Sequence, residues 1–231
     1  MKLSHLKTPA LAAALLAAAI LPAHAAPAPG IYITEVAPWS SGNSPVAADW
    51  FELTNTGASA VNISGWKMDD NSNSFAAAVA LNGITSIAAG QSVIFIESSG
   101  SPSAAFISTW FGASAPAGLA IGTYSGSGIG LSTSGDAVNI YNAAGTLQAN
   151  VVFGASPSGP FPTFDNAALV NNATLSTASA VGINGAFVAA GDAAEIGSPG
   201  VIAAVPEPES YALLLAGLGL ITAVARRRRQ A

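Results

Sequence analysis

Short runs of β-branched and aromatic residues recur along the chain, and they constrain its fold more than any other feature. Glycine, asparagine, serine and proline separate these runs, whereas apolar residues at helical spacing are scarce. The segment Asp49–Thr54 is typical, because Phe51 and Leu53 alternate with Trp50 and Glu52 across two faces. Several short strands separated by turn residues predict an all-β chain folded as an antiparallel β-sandwich.

Two further segments predict the central strand and the one helix of the sandwich. Ser92–Ile96 is continuously apolar after Ser92, which predicts a central strand covered on both faces. Ser103–Phe111 follows Pro102 and is the one segment between the two termini that favours a helix. The other predicted strands are Ile31–Val36, Val61–Met68, Ala137–Tyr141 and Leu147–Phe153, the last two forming a hairpin around Gly145.

Local signatures within these segments carry a resemblance to a known family. They are Glu35-Val36, then Trp50-Phe51-Glu52-Leu53-Thr54-Asn55-Thr56-Gly57, then Ile63-Ser64-Gly65-Trp66, and later Ser134-Gly135-Asp136 and Ser198-Pro199-Gly200. Together they resemble a lamin-tail domain over most of residues 30–200. The resemblance implies an immunoglobulin-like sandwich in which most of the signature residues have structural roles. A large ring at Trp66 is expected to lie buried between the two sheets.

The N-terminus has the three parts of a secretory signal peptide. Lys2 and Lys7 form a basic start, and an apolar stretch of twelve residues follows from Ala10 to Leu21. Ala23 and Ala25 then provide an A-x-A cleavage site. We therefore expect residues 1–25 to form a signal-peptide helix that directs export and is removed after Ala25.

The C-terminus combines a short motif, an apolar segment and a basic cluster. The motif is Val205-Pro206-Glu207-Pro208, the apolar segment is residues 211–225, and the cluster is Arg226-Arg227-Arg228-Arg229. At about 1.5 Å per residue the apolar segment spans ~22 Å as a helix, less than the ~30 Å hydrocarbon core of a bilayer. Residues 205–231 resemble the PEP-CTERM sorting signal. The resemblance implies a transient membrane helix and an exosortase that cuts near the motif. The alternative is an ordinary tail anchor or stop-transfer helix.

The charges left between these two signals exclude several kinds of function. Residues 26–205 keep one cation, Lys67, against ten acidic residues, and they contain no histidine, arginine or cysteine. One lysine provides no basic surface for nucleic acid. The absence of histidine and cysteine excludes a Ser-His-Asp or Cys-His nucleophile and the usual zinc ligands.

Glu35 and Glu52 are unusual because they are carboxylates within predicted strands. One interpretation is that each accepts backbone or hydroxyl hydrogen bonds at the margin of a sheet. The alternative is a carboxylate pair across neighbouring strands, as retaining glycosidases require at ~5 Å. In that case Asp49 would be a further acid–base group or metal ligand.

Asp69, Asp70, Asn71 and Asn73 form the densest group of oxygen ligands between the two signals. Their spacing matches the first half of a calcium loop, but Ser74 and Ala80 replace the glycine and glutamate of an EF-hand. A looser calcium site and a solvated Asx-rich loop both remain open. No other cofactor is expected.

The sequence thus predicts an exported surface or matrix protein whose sandwich is a non-catalytic binding or structural module. The PEP-CTERM resemblance implies an exosortase as partner and a setting of exopolysaccharide and biofilm. The alternatives are an extracytoplasmic hydrolase acting on polysaccharide through Glu35, Asp49 and Glu52, and a spacer without a ligand.

Overall fold

The computed structural model describes residues 30–38, 46, 48–157 and 159–201, together with residues 217, 218 and 221. Within them, most regular structure is β-strand. The elements in chain order are β1 (Ile31–Ala37), β2 (Trp50–Asn55), β3 (Val61–Asn62), β4 (Lys67–Asp69), β5 (Val79–Ala80), β6 (Ser86–Ile87), β7 (Ser92–Glu97), α1 (Ser103–Phe111), β8 (Ala120–Tyr124), β9 (Asp136–Tyr141), β10 (Leu147–Phe153), β11 (Phe161–Pro162), β12 (Phe164–Asp165), β13 (Ala173–Leu175), β14 (Phe187–Val188) and β15 (Glu195–Gly197).

Two five-stranded sheets form a sandwich, which confirms the predicted fold class. The first sheet has the order β12-β1-β2-β7-β8 and the second has the order β13-β10-β9-β4-β5. Alternate residues of both sheets meet in one core, where Phe51, Phe95 and Val138 are fully buried. Trp66 lies in this core with 6% of its surface exposed, as the sequence predicted.

A second apolar cluster covers the outer face of the first sheet. Helix α1 packs its Phe106 and Trp110 against Trp50 of β2, with ring centroids 5.4 and 5.5 Å apart in edge-to-face geometry. Because both faces of β2 are covered, all six of its residues are buried. The predicted central strand β7 is likewise covered on both faces: Val93 lies in the first cluster and Ile94 in the second.

The predicted single strand Val61–Met68 was wrong in its extent. The segment divides into β3, which pairs with β6, and β4, which pairs with β9 of the second sheet. Gly65 between them has φ +74°, a conformation that interrupts an extended strand. The Trp66 amide closes the turn by donating to the Ile63 carbonyl at 3.0 Å.

The sandwich also contains parallel pairs that simple alternation along the sequence does not indicate. Strands β7 and β8 are parallel because α1 forms the crossover between them. Strands β10 and β13 are also parallel, through the longer connection over residues 154–172. A small sheet of β11, β15 and β14 lies at the end of the described chain.

Candidate functional site

Two buried glutamates face each other across the first two strands. Glu35 of β1 is the cross-strand partner of Glu52 of β2, and each is 1% exposed. The register shifts between Ile33 and Glu35, so that Thr34 is an extra residue in β1. The structure therefore brings together two of the three acids of the hydrolase hypothesis.

The Glu35 carboxylate holds two segments from the last third of the described chain. Its Oε1 accepts a hydrogen bond from the Thr163 hydroxyl at 2.5 Å and one from the Ser198 backbone amide at 2.7 Å. Ser179 hydrogen-bonds to the same threonine hydroxyl at 2.7 Å. Glu35 thus links β1 to the segment that follows β15.

The Glu52 carboxylate binds the same closing segment two residues later. Its Oε2 accepts a hydrogen bond from the Gly200 amide at 2.5 Å, and its Oε1 accepts one from the Thr34 hydroxyl at 2.6 Å. The extra residue in β1 therefore supplies a donor to the opposite strand. Both glutamates accept amide hydrogens from residues 198–200, which we call the closing segment.

Burial shifts the acidity of both groups in the same direction. Burial, and then the neighbouring Glu52 carboxylate, raise the pKa of Glu35 from 4.5 to about 8. Burial raises the pKa of Glu52 from 4.5 to about 7, although hydrogen bonds from Thr34 and Gly200 act in the opposite sense. The pair therefore binds protons near neutral pH, as closely spaced buried carboxylates do.

The space beside the pair is too small for a sugar. A cavity of about 20 Å³ lies against Glu52, which is room for about one water molecule. It is lined by Thr34, Glu52, Asp165, Ala167, Leu169, Asn184, Ser198 and Val201. A glycosidase needs both carboxylates on a cleft that admits a sugar ring. In this structure the closing segment occupies that position.

Asp49, the third acid of the hydrolase hypothesis, lies apart from the pair. It immediately precedes β2, and its Oδ2 accepts a hydrogen bond from the Leu131 amide at 2.7 Å. Strand alternation puts it on the same side as core residue Phe51, opposite to Glu52. The three acids therefore do not converge on one site.

The predicted calcium loop folds around its own hydrogen bonds. Oδ2 of Asp69 accepts hydrogen bonds from the Ser72 hydroxyl and the Ser74 amide, both at 2.7 Å. Asp70 accepts the Ser72 amide at 3.1 Å, which is an Asx-turn. Asp69 is fully buried, whereas Asn71, Ser72 and Asn73 are exposed, so the bonds describe an Asx-rich loop that is solvated only in part.

The two asparagines of this loop attach it to the second sheet. The Asn71 amide donates to Asp136 Oδ1 at 3.0 Å, and Asn73 Oδ1 accepts the Tyr141 hydroxyl at 2.5 Å. Across the described part of the chain, no three side chains of Asp, Glu, His or Cys are grouped to hold a metal ion. Calcium binding by the loop stays a prediction.

The residues predicted to direct processing lie outside the described residues. They are Ala23 and Ala25 of the signal peptide, Val205, Pro206, Glu207 and Pro208 of the motif, and Arg226, Arg227, Arg228 and Arg229. The predicted helix over residues 211–225 also lies outside them, except for residues 217, 218 and 221. In the part that is described, no helix has the length and apolar character needed to span a bilayer.

The partners of the glutamates were missed by sequence reasoning. Ser198 and Gly200 were identified only as part of a closing Ser-Pro-Gly signature, and Thr163 carried no signal at all. The Ser198 and Gly200 donors are backbone amides, which almost every residue type supplies, so their residue types give no sequence signal. The only usable hint was that two strand carboxylates without cations nearby in sequence must be satisfied by hydrogen-bond donors from elsewhere.

The fold and the site define a β-sandwich whose strand carboxylates are used to close the structure. The sequence model of the Lamin Tail Domain matches residues 24–155, more than half of the chain. The chain belongs to the lamin tail domain family, which confirms the immunoglobulin-like fold. A second match, to the PEP-CTERM protein-sorting motif, covers residues 204–229. No curated protein matches the chain.

The sorting motif establishes the route of the protein. It directs export, a transient membrane anchor through the C-terminal tail, and a final location at the cell surface or outside the cell. An exosortase is the processing partner that this motif implies. Both matched families are structural or sorting types rather than catalytic ones.

Proposed function

We propose that the protein is a non-catalytic binding or structural module, released from its membrane anchor by an exosortase and retained in exopolysaccharide. One observation carries the non-catalytic part. The only cross-strand pair of buried carboxylates among the described residues is hydrogen-bonded to the closing segment instead of facing a cleft.

The proposed processing leaves one compact body. In this proposal the signal peptide ends at Ala25, residues 30–200 are one domain, and cleavage occurs near Val205-Pro206-Glu207-Pro208. The closing segment lies four residues before the start of the matched sorting motif. The hydrogen bonds of Glu35 and Glu52 would thus keep the body folded up to the edge of the processed tail.

The test of sorting uses the basic cluster. In the native host, replacing Arg226–Arg229 with serine or deleting the exosortase should each leave the chain in the membrane fraction. A matched control replaces only Gln230, which lies beside the cluster but carries no charge. Normal surface delivery without the exosortase would contradict the proposal.

A hydroxyl-rich polymer suits this module as ligand. The described residues carry one lysine against ten acids, so attraction to polyanions is weak, while serine, threonine and asparagine supply many neutral donors and acceptors. Retention on a panel of insoluble polysaccharides measures this binding directly. No retention on any of them would reduce the proposal to a structural spacer.

A hydrolase remains the second candidate because of one observation. The pKa values of Glu35 and Glu52, about 8 and 7, lie in the range that a general acid needs near neutral pH. The same panel should be assayed for new reducing ends, with Glu35→Gln/Glu52→Gln as the comparison. Turnover that disappears in a folded double variant would favour the hydrolase, and we expect none in either protein.

A further inference from the structure

The turn over residues 181–186, which we call the exit turn, carries two unusually exposed apolar side chains. Val181 and Ile183 are 57% and 58% exposed. Among the other residues described between 30 and 201, the most exposed large apolar side chain is Val152, at 42%. Single exposed apolar residues are ordinary on a protein surface, whereas two on one turn form a local apolar patch.

The exit turn lies where the sandwich ends and the tail begins. A Cβ atom placed on Gly185 would lie 2.6 Å from Cγ1 of Val201, so the turn packs directly against the last residue described before the tail. Residues 202–210 separate Val201 from the apolar segment over residues 211–225. Even a fully extended connection of this length spans only about 35 Å. An anchored tail therefore keeps the exit turn close to the bilayer surface.

The exit turn pairs several of its own polar groups. The Gly182 amide donates to the Ala186 carbonyl, and the Ala186 amide donates to the Ile183 carbonyl, both at 2.8 Å. The Asn184 side chain donates to Asp165 Oδ2 at 2.6 Å, which fixes the turn to β12. Unpaired backbone groups oppose transfer from water into a less polar medium. The internal hydrogen bonds of the turn lower this barrier.

The sequence around the exit turn is free of charge. No acidic or basic residue lies between Asp165 and Asp192. A charged side chain would oppose entry into a bilayer, whereas valine and isoleucine favour its headgroup boundary. Two such side chains bind a membrane weakly by themselves. The anchored tail makes this second contact intramolecular, and a high effective concentration then compensates for its weakness.

We propose that Val181 and Ile183 of the exit turn rest in the exterior surface of the membrane that holds the tail, and so dock the sandwich on the bilayer before it is cut. The partner is the boundary between neutral headgroups and acyl chains, because the contact is apolar and the turn has no cation to attract anionic lipid. Cutting the tail lowers the effective concentration, so the contact ends with processing. This inference rests on the tail as anchor and is independent of any polysaccharide ligand.

The test labels the full chain at one position at a time, since the sequence contains no cysteine. Ile183→Cys carries a fluorescent label on the exit turn. Ala80→Cys is the matched control, because Ala80 is exposed and lies on β5, the edge of the second sheet opposite to β13. Both proteins are reconstituted in phosphatidylcholine vesicles, and flotation of the vesicles measures anchoring separately. Quenching by aqueous iodide and by brominated lipid then locates each label.

The two labels should respond differently. Iodide should quench the label at position 183 at least about threefold less than the label at position 80, and brominated lipid should quench it more. Adding Val181→Asp to the Ile183→Cys protein should abolish this difference without lowering Tm, because the new charge opposes membrane contact at an exposed site.

Three results would overturn the proposal, and they are distinguishable. Equal quenching at positions 183 and 80 in chains that float would exclude the membrane contact while leaving the anchor intact. Protection of position 183 only after an exosortase is added to the vesicles would assign the exit turn to the peptidase instead of the lipid. Chains that do not float would contradict the anchor itself, and the contact with it.

Discussion

At the scale of single residues, the protonation of Glu35 and Glu52 links stability to pH. Their pKa values are about 8 and 7 in the folded state, against 4.5 without the fold. Below pH 4.5 both states hold these protons, so the folded state bears no cost. As the pH rises from there toward 8, the unfolded chain loses protons first, and the free energy of unfolding falls.

We therefore expect Tm to decrease between about pH 5 and pH 8. Asp165, which also raises the pKa of Glu35, is the other acid acting on it. Glu35→Gln/Glu52→Gln should flatten this decrease, while Asp192→Asn should retain it. Calorimetry across the pH range measures the slope, and a slope unchanged in the double variant would show that the pair does not control it.

Trp66 is the residue whose burial was predicted most directly. Removing its indole leaves a cavity between two sheets that hydrogen bonds hold in position, so Trp66→Ala should lower the free energy of unfolding by about 3–5 kcal/mol. Val181 is 57% exposed, so Val181→Ala should change the free energy of unfolding by no more than about 0.5 kcal/mol. Urea unfolding of both variants checks the difference, and similar values would contradict the burial of Trp66.

At the scale of elements, β15 can approach the glutamate pair because it ends in glycine. A Cβ atom on Gly197 would lie 2.7 Å from Glu35 Oε1, 2.9 Å from Trp110 Cη2 and 3.0 Å from Thr163 Cγ2. Gly197→Ala should therefore cost about 1–3 kcal/mol through overpacking.

Gly154→Ala, directly after β10, is the matched control for Gly197→Ala. No atom lies within 4 Å of a Cβ at Gly154, so this change should be neutral or stabilise by about 0.4–1 kcal/mol. Limited proteolysis should show earlier cleavage after β14 in the Gly197 variant only. Equal resistance of the two proteins would mean that close packing of β15 is unimportant.

Much of the element pattern was predictable because local signals and tertiary packing agree. The helix Ser103–Phe111 and the strand Leu147–Phe153 have the predicted bounds, since Pro102 and the turn at Gly145 mark their starts. The division of Val61–Met68 was not predicted. Periodicity does not reveal that Gly65 adopts positive φ and sends the two halves to different sheets.

At the scale of the whole molecule, the sequence predicted the family and the route more readily than the site. The lamin-tail and PEP-CTERM signatures are contiguous, so they could be read directly. The contacts of Glu35 with Thr163 and Ser198 join residues 128 and 163 positions apart. Such contacts depend on the three-dimensional arrangement and leave no local pattern.

The central claim is that one folded body is exported and then cut from its tail beside the closing segment. Intact-mass spectrometry of the protein recovered from the cell surface tests this claim most directly. The predicted mass corresponds to a chain that starts near Ala26 and ends near the Val205-Pro206-Glu207-Pro208 motif, with or without an added group. A surface protein that still carries Arg226–Arg229 would contradict it.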